Sequence, residues 1–228
     1  AADQATDTPT NNFCTGNPLD NYYPAHTFSE GNCKITTGSP ETLSYSTFLL
    51  TTGKWYWEAK AVSSSGSSTY DIGIGGSQIT ATTNGANYAY NYVYYGHNGD
   101  IRNSSTGNGD AGTDYGDSYT AGDIVSVALD LDNNKLYVAK NGTWQNSGDP
   151  AAGSNGHSIT AVGSTDFGGY YPAFGSYGNT IVIEMNFGGC PAFAISSGNE
   201  DADGYGNFEY AVPSGYYALC TKNLAEYG

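Results

Sequence analysis

The sequence of residues 121–144 is AGDIVSVALDLDNNKLYVAKNGTW. Side chains alternate across an extended strand, so its first apolar residues share one face: Val125, Val127, Leu129 and Leu131. The polar run at 132–135 predicts a turn, because short polar side chains satisfy their own backbone there. A second strand follows at 136–139, and Asn141-Gly142 suits a type I′ turn. The stretch predicts a β-hairpin at the centre of an all-β fold.

The composition favours strands joined by turns. The 228 residues include 32 glycines and 21 tyrosines, and only 13% are charged. No segment has a helical period over several turns, and this profile is typical of short strands. An all-β chain of this length is often one domain. We predict a polar N-terminal arm at residues 1–12 and a single domain at residues 13–228.

The net charge restricts the partners. Acidic residues outnumber basic residues by 22 to 7, which gives a formal net charge of −15. Such a chain is repelled by nucleic acid and by anionic lipid surfaces, and no apolar run is long enough to insert into a membrane. We expect neither as a partner, and we interpret the charge as solubility outside the cell. The start, Ala1-Ala2, is compatible with a processed mature terminus.

Further strands are predicted from alternation and from flanking turn residues. They lie at residues 26–30, 32–36, 44–51, 53–62, 70–75, 87–96, 170–175 and 180–187. In the strand at 53–62, Trp55 and Trp57 share one face, and Tyr56 and Glu58 share the other. Polar, glycine-rich segments between the strands predict long loops.

Several strings in these segments occur in a fixed order and together resemble the SPRY family. They are GKWYWE at 53–58, DIGIG at 71–75, GDIVSVALDLD at 122–132 with KNG at 140–142, YPAF at 171–174 and MNFG at 185–188. The ordered set covers roughly residues 50 to 190 and is more specific than any one string. The resemblance implies a concanavalin A-like sandwich of two antiparallel β-sheets.

The flanks of this region resemble a narrower group. The strings DTPTNNFC at 7–14 and GYYALCTKNL at 215–224 look like the borders of SPRY modules in structural proteins of marine and environmental bacteriophages. The resemblance implies a non-enzymatic structural or recognition subunit of a virion tail fibre or of another extracellular fibre. It also implies self-assembly into an oligomer or filament.

The four cysteines lie far apart along the chain and form no C-x-x-C pair, so a zinc site is not indicated. Two of the cysteines lie near each end of the chain, which indicates that disulfides join the termini in an oxidising compartment. The alternative is that all four are buried free thiols. The resemblance adds the pairing. Cys14 and Cys220 lie in the border strings where phage modules carry cysteine, and Cys33 and Cys190 depart from the family pattern. It therefore implies the disulfides Cys14–Cys220 and Cys33–Cys190.

No catalytic motif is found. Glycosidases on concanavalin A-like folds carry a Glu-x-Asp-x-x-Glu strand motif, and the glutamates of this chain lack such partners. The histidines lie in polar, glycine-rich surroundings, and no nucleophile elbow occurs. We expect no enzyme activity and no cofactor. The residues concerned are Glu58, Glu184, Glu200, His26, His97 and His157.

A tyrosine stripe is the main candidate for ligand binding. Its alternate members share a face if the segment is extended: Tyr88, Tyr90, Tyr92 and Tyr94. Aromatic faces stack on sugar rings, and His97, Asn98 and Asp100 nearby can hydrogen-bond to sugar hydroxyls. Two alternatives stay open: part of the stripe packs in the sandwich core, or it forms an interface between subunits.

Two weaker motifs carry candidate sites. The acidic loop at 199–204 places Asn199, Asp201 and Asp203 at alternate positions before a glycine, as in a calcium loop, but it lacks the final glutamate. A solvated loop is the favoured interpretation, so no metal is expected. The sequons at Asn103 and Asn141 are glycosylation candidates.

Three function hypotheses follow. The first is the structural and recognition subunit of a virion or extracellular fibre, with self-association and a glycan as partners. The second is a secreted carbohydrate-binding module, and the third is a glycoside hydrolase with an unrecognised site. We expect an extracellular or virion-surface location. We also expect the arm at residues 1–12 to pack on a neighbouring subunit, because it has little to pack with on its own domain.

Overall fold

The computed structural model describes residues 7–19, 26–38, 42–79, 88–103 and 112–228. Strands dominate the described residues. In chain order they are β1 (Thr27–Ser29), β2 (Lys34–Thr36), β3 (Thr42–Tyr45), β4 (Lys54–Ser64), β5 (Tyr70–Gly75), β6 (Asn91–Tyr95), β7 (Asp100–Arg102), β8 (Thr113–Asp114), β9 (Ile124–Asp130), β10 (Lys135–Lys140), β11 (Thr143–Trp144), β12 (His157–Ser158), β13 (Tyr171–Ser176), β14 (Ile181–Asn186) and β15 (Tyr217–Ala218). Short 3₁₀ turns occur at Gln145–Ser147 and Val162–Ser164, and one helix, α1, spans Thr221–Tyr227.

The described strands form two sheets. The nine-stranded sheet has the order β1-β2-β14-β4-β9-β10-β11, with β12 paired to β10 and β15 to β4. The six-stranded sheet has the order β3-β13-β5-β6-β7-β8. Neighbouring strands are antiparallel, except that β15 runs parallel to β4. The prediction of an all-β, two-sheet antiparallel sandwich is confirmed.

The predicted hairpin lies inside the nine-stranded sheet. Strands β9 and β10 pair along their length, and β9 also pairs with β4. The following turn has left-handed backbone at Asn141 (φ 49°) and Gly142 (φ 79°), as a type I′ turn requires. The two strands of the hairpin are therefore neighbours in sequence, and they lie in the interior of the sheet.

Alternation along the strands separates two apolar layers. The main core between the sheets contains Trp55 and Trp57 together with the apolar face of β9. Tyr56 faces the other way, into a second cluster that residues 205–220 cover. Strand β4 is therefore buried on both faces: Lys54 is half-buried, and the five residues after it are buried.

Two predicted strands are longer than the observed ones, and one helix was not predicted. The segment 87–96 is a strand only from Asn91 to Tyr95. The segment 44–51 is a strand only as far as Tyr45. Beyond it, Ser46 makes an isolated bridge to Gly16 and Leu50 makes one to Tyr170. The chain therefore contacts two different segments here and does not pair continuously with a single strand. Helix α1 was not predicted, because a helix of seven residues is too short to show a period.

The described part of the N-terminal arm contacts its own domain. The backbone N–H of Asn12 donates to Thr221 Oγ1 at 3.0 Å, and the Thr221 N–H donates to the Asn12 carbonyl at 2.9 Å. The Asn11 side chain accepts from the Lys222 N–H at 3.2 Å. For residues 7–12, the expectation that the arm has little to pack with on its own domain is wrong. Residues 1–6 lie outside the described part.

All four cysteines carry free thiols, so neither expected disulfide is present. Phe13 bridges Cys220 and shares the second cluster with it, whereas Cys14 points into the main core. Neighbouring side chains on extended backbone point to opposite sides, which separates Cys14 from Cys220. Cys33 is close enough to Cys190 for their charges to interact, and the pairing of these two under oxidising conditions stays a prediction.

Membrane insertion was not expected from the sequence. Among the described residues, the structure contains no helix with the length and apolar character needed to cross a bilayer.

Candidate recognition groove

Loops of both sheets meet at the end of the sandwich where β4, β6, β10 and β13 finish, and they enclose a groove. One half has a volume of about 270 Å³ and is lined by Ser67, Thr69, Tyr95, His97, Tyr177, Gly178 and Asn179. The adjoining half has a volume of about 330 Å³, shares Ser67 and His97, and is also lined by Ser68, Gly96, Ser118, Tyr119, Thr120 and Lys140. We call both halves together the Tyr177 groove. Its size is that of a small-ligand site.

A clamp of aromatic rings and one guanidinium forms the first wall. The rings of Tyr95 and Tyr177 meet edge to face, with 6.1 Å between centroids and 84° between planes. The Arg102 guanidinium lies 3.3 Å from the Tyr95 ring centroid and 5.1 Å from that of Tyr177. Cation–π attraction favours this arrangement. Tyr95 is only 3% exposed, whereas Tyr177 is half-buried, so Tyr177 supplies the aromatic surface.

One buried positive and one buried negative side chain act on the Tyr95 hydroxyl behind this wall. Burial raises the pKa of the Tyr95 hydroxyl; the positive charge of Arg102 lowers that pKa and the negative charge of Asp71 raises it. Arg102 and Asp71 are both buried, at 5% and 1% exposure. The clamp therefore presents a neutral aromatic surface to the groove, not a free charge.

Hydroxyl and amide groups form the second wall. The Asn179 side-chain amide donates to Thr69 Oγ1 at 3.0 Å, and Ser68 Oγ donates to Thr120 Oγ1 at 2.9 Å. Lys140 Nζ donates to the Ser118 carbonyl at 2.7 Å and lies 3.7 Å from Asp123. Among the described lining residues there is no carboxylate. The wall offers hydroxyl and amide donors and acceptors that are already held in place, and its lysine is paired with Asp123.

The predicted tyrosine stripe does not form one exposed face. Tyr92 and Tyr94 are 5% and 0% exposed and belong to the main core. The Tyr92 hydroxyl bonds to Thr160 Oγ1 at 2.9 Å, and the Tyr94 hydroxyl donates to the Asp117 carbonyl. Neither ring can stack on a sugar. This follows the alternative in which part of the stripe is core.

The other two tyrosines of the stripe precede the strand. Because β6 begins at Asn91, alternation does not extend to Tyr88 and Tyr90. Both are half-buried; Tyr90 packs against the main core and Tyr88 against the outer face of the six-stranded sheet. The two side chains therefore lie against different apolar clusters.

The polar residues that follow the stripe are divided. His97 is exposed and lines both halves of the groove. Asn98 donates to Asp100 Oδ2 at 2.7 Å in the turn beyond it, and neither residue lines the groove. The binding roles assigned to these residues stay predictions, and the geometry favours His97 among them.

Sequence reasoning missed Tyr177, Asn179, Ser67 and Thr69. The available signal was the position of their loops. Tyr177-Gly178 lies between two predicted strands, and the serine-rich loop at 63–68 lies between two others. In antiparallel pairs, alternate connections lie at the same end of a sheet, which places these loops together.

In the acidic loop at 199–204, the side-chain oxygens of Asp201 already accept hydrogen bonds from the protein itself. Asp201 Oδ1 accepts from the N–H groups of Asp203 and Tyr205, and Oδ2 accepts from Ala218 N–H and the Asn223 amide, at 2.8–3.0 Å. Asn199 donates to backbone carbonyls. Within the part of the chain that the structure describes, no cluster of three His, Cys, Asp or Glu side chains could hold a metal.

The two sequon asparagines use their side-chain amides within the fold. Asn103 is 5% exposed and donates to the carbonyls of Ala89 and Asn91. Asn141 is exposed, donates to Asp123 Oδ1 at 2.7 Å and accepts from Ile124 N–H at 2.9 Å. Glycosylation at either position stays a prediction; it would replace one amide N–H, so Asn103 could keep only one of its two donations.

The acids and bases considered for catalysis have structural surroundings. Glu58 is fully buried, and burial raises the pKa of its carboxyl, partly offset by hydrogen bonds from Glu209 N–H and Tyr210 N–H. Glu184 pairs with Lys34 at 2.8 Å, and His157 packs against the Tyr92 and Tyr115 rings. The absence of enzyme activity stays a prediction.

The structure is a two-sheet antiparallel sandwich with a groove between the loops at one end. The family model described as the SPRY domain matches residues 54–189, more than half of the 228 residues. The chain belongs to the SPRY family. SPRY domains are generally non-catalytic modules of protein interaction and recognition.

A solved structure supports the fold assignment. The SPRY domain of human HERC1 aligns with a TM-score of 0.51 at 16% sequence identity, over 78% of this chain and 99% of the HERC1 chain. At this identity the likeness concerns the fold alone. Among curated proteins, no sequence matches the chain significantly.

Proposed function

We propose that this chain is a non-enzymatic recognition module and that the Tyr177 groove binds neutral carbohydrate. One observation carries the proposal: the groove joins a half-buried tyrosine ring to a wall of hydroxyl and amide groups, with no carboxylate among its described lining residues. Sugars bind through ring stacking on aromatic faces and hydrogen bonds to their hydroxyls. The polar lining satisfies both needs, and Lys140, the lysine within it, is already paired with Asp123.

A glycan array with matched variants tests the proposal. Replacing Tyr177 with Ala removes the ring, and His97→Ala trims an exposed side chain that no described strand depends on. We expect both variants to lose most of the binding seen with the wild-type chain. The control is Tyr88→Ala, which changes the earlier stripe outside the groove and should keep wild-type binding.

Protein recognition is the second candidate, because it is the general role of the family. A displayed peptide library probes it with the same four proteins, the wild-type chain and the three variants. If peptides bind the wild-type chain but not Tyr177→Ala, the groove is the binding site and its ligand is a peptide instead of a carbohydrate. If no glycan or peptide requires Tyr177 or His97, the groove is not the recognition site.

The wider setting belongs to the same proposal. We place the module in an extracellular or virion-surface fibre that self-assembles, on the strength of the border strings at 7–14 and 215–224 and the net charge of −15. Electron microscopy of native material tests this directly. Filaments or virions that contain the chain support it, and a monodisperse monomer in native extracts argues against it.

A further inference from the structure

A second pocket lies on the outer face of the nine-stranded sheet. It has a volume of about 170 Å³, and it shares no residue with the Tyr177 groove. Tyr56 and Ser126 form its floor, and Trp144 and Tyr210 stand at its sides. Tyr56 and Ser126 are buried, whereas Trp144 and Tyr210 are half-buried. The pocket is therefore open at the surface and polar at its base.

The floor holds a hydroxyl that can accept a further hydrogen bond. Ser126 is only 1% exposed, and its Oγ has no hydrogen-bond partner at full geometry; its neighbour is the Tyr56 hydroxyl, whose pKa it lowers. Buried polar groups are hydrogen-bonded in most proteins, and an unmet hydroxyl costs about 1–3 kcal/mol. A ligand group that reaches the floor would satisfy it.

Negative charge lies directly beneath this floor. Glu58 is 0% exposed and accepts from Tyr56 O–H at 2.9 Å and from Tyr210 N–H at 2.8 Å, so both of these pocket residues touch the carboxylate. Its other donors are the Asn186 amide and Glu209 N–H. None of the ion pairs among the described residues includes Glu58. A buried carboxylate without a counter-ion is costly even when it is hydrogen-bonded.

Two further carboxylates, Glu209 and Asp123, lie close enough to Tyr210 to act on its hydroxyl. After burial, the negative charges of Glu209, Glu58 and Asp123 raise the pKa of the Tyr210 hydroxyl. Lys140 lies 3.7 Å from Asp123, and Lys60 acts on Glu209. Cations therefore already serve the two outer carboxylates, and Glu58 is the one left without a partner of opposite charge.

We propose that the pocket formed by Tyr56, Ser126, Trp144 and Tyr210 binds a primary alkylammonium group, from a lysine side chain or a small amine. Aromatic side chains attract cations, and the buried charge of Glu58 strengthens that attraction. The Ser126 hydroxyl accepts a hydrogen bond from an N–H of the ammonium. A quaternary ammonium lacks that N–H and binds more weakly, and a carboxylate is repelled.

The three tryptophans make a direct measurement. Trp55 and Trp57 are fully buried in the main core, and only Trp144 stands at the pocket. In a ¹⁵N-labelled sample, n-butylammonium chloride should shift the Trp144 indole N–H signal to saturation and leave those of Trp55 and Trp57 in place. Tetramethylammonium chloride should bind more weakly, and sodium butyrate should have no effect at matched ionic strength.

Variants separate the contributions. Ser126→Ala should weaken butylammonium binding about tenfold, the effect of one hydrogen bond to a charged group, and leave tetramethylammonium binding unchanged. Tyr210→Ala should weaken both cations. If Ser126→Ala does not fold, the preference for butylammonium over tetramethylammonium in the wild-type chain carries the same test.

A lysine whose α-amino and α-carboxyl groups are both blocked shows whether the ammonium comes from a protein side chain or from a free amine. Tighter binding of blocked lysine than of butylammonium points to a protein partner, and the reverse points to a free amine. The proposal is overturned if butyrate shifts the Trp144 signal as strongly as butylammonium, or if no probe gives a saturable shift. It is also overturned if a folded Ser126→Ala variant binds butylammonium as the wild-type chain does.

Discussion

Two buried carboxylates, Glu58 and Asp201, hold the C-terminal part of the chain on the sandwich. Glu58 accepts from the backbone of Glu209 and Tyr210, and Asp201 accepts from Ala218 N–H and the Asn223 amide. Each carboxylate therefore replaces several bonds to water with fixed bonds to protein donors. In the sequence, Glu58 was weighed for catalysis and Asp201 for calcium binding, and neither role was favoured. In the structure, both carboxylates organise backbone.

Asp201→Ala should destabilise the fold without any link to calcium. The change leaves donors such as Ala218 N–H and the Asn223 amide unpaired in a buried place, at a cost of roughly 3 kcal/mol. Urea unfolding measures the loss, with the exposed Glu200→Ala as the control, which should stay close to wild type. Calcium and EDTA should leave the wild-type melting temperature unchanged, and a rise with calcium would restore the metal hypothesis.

His26 should make stability depend on pH. The ring is 6% exposed, its Nδ1 lies 2.5 Å from Ser44 Oγ, and burial lowers its pKa from 6.5 to about 4. Between these two values the unfolded chain binds a proton that the folded chain does not, so stability falls as pH falls. The slope from this residue approaches about 1.4 kcal/mol per pH unit.

Urea unfolding at several pH values between 4 and 7 measures that slope. His26→Gln keeps a polar side chain but cannot take up the proton, so its slope should be smaller than that of the wild type in this window. Carboxylates titrate equally in both proteins, and the difference isolates His26. Equal slopes would show that His26 does not contribute.

At the scale of elements, helix α1 depends on a residue at the far end of the chain. Its own N-cap position, Cys220, makes no side-chain capping bond. Asn11 supplies it instead, since its Oδ1 accepts from Lys222 N–H at 3.2 Å. Thr8 and Asn11 exchange backbone hydrogen bonds that hold Asn11 in place. The N-terminal segment therefore finishes the C-terminal helix.

Asn11→Ala should lower the free energy of unfolding by about 1 kcal/mol, the usual worth of a helix cap. The matched control is Asn12→Ala, because the bonds that join Asn12 to Thr221 involve only its backbone and should survive. Deleting residues 1–10 removes the Thr8 turn, so we expect a lower thermal midpoint. An unchanged midpoint in both Asn11→Ala and the truncation would contradict the capping role.

At the scale of the whole molecule, the nine-stranded sheet is covered on both faces. The six-stranded sheet packs on one face, and residues 205–220 cover part of the other, where Tyr56, Phe208 and Tyr216 form the second cluster. This arrangement brings residues 11–13 next to residues 220–222 and separates the cysteines. Cys14 and Cys33 lie in the main core and Cys220 in the second cluster.

The reactivity of the thiols should follow this layering. Cys190 is exposed and the other three are buried; burial raises the pKa of Cys14 and Cys220, and raises that of Cys33 to about 12. Since the thiolate is the reactive form, iodoacetamide should label Cys190 in the folded reduced protein and the others only after unfolding. Peptide mapping by mass spectrometry measures this. Rapid labelling of Cys33, or a Cys14–Cys220 crosslink in non-reduced peptides, would contradict the layering.

The sequence by itself determined the class of fold and the position of the long central strands. Alternation in β4 and β9 and the Asn141-Gly142 turn depend on residues close together in the chain, and the structure confirms them. Their order also carried the family resemblance. These patterns could not predict what covers the outer face of the sheet. Alternation predicts that Tyr56 and Glu58 point away from Trp55, but it does not predict that a distant segment packs over them.

Only the tertiary structure decided where the candidate sites lie. The Tyr177 groove joins loops that are far apart in sequence, and the core position of Tyr92 and Tyr94 depends on how the second sheet closes over them. The bond between Asn11 and α1 spans 211 residues. The physical reason is that side-chain direction is set by neighbouring backbone, whereas burial and hydrogen-bond partners are set by whichever distant segments the closed sandwich brings into contact.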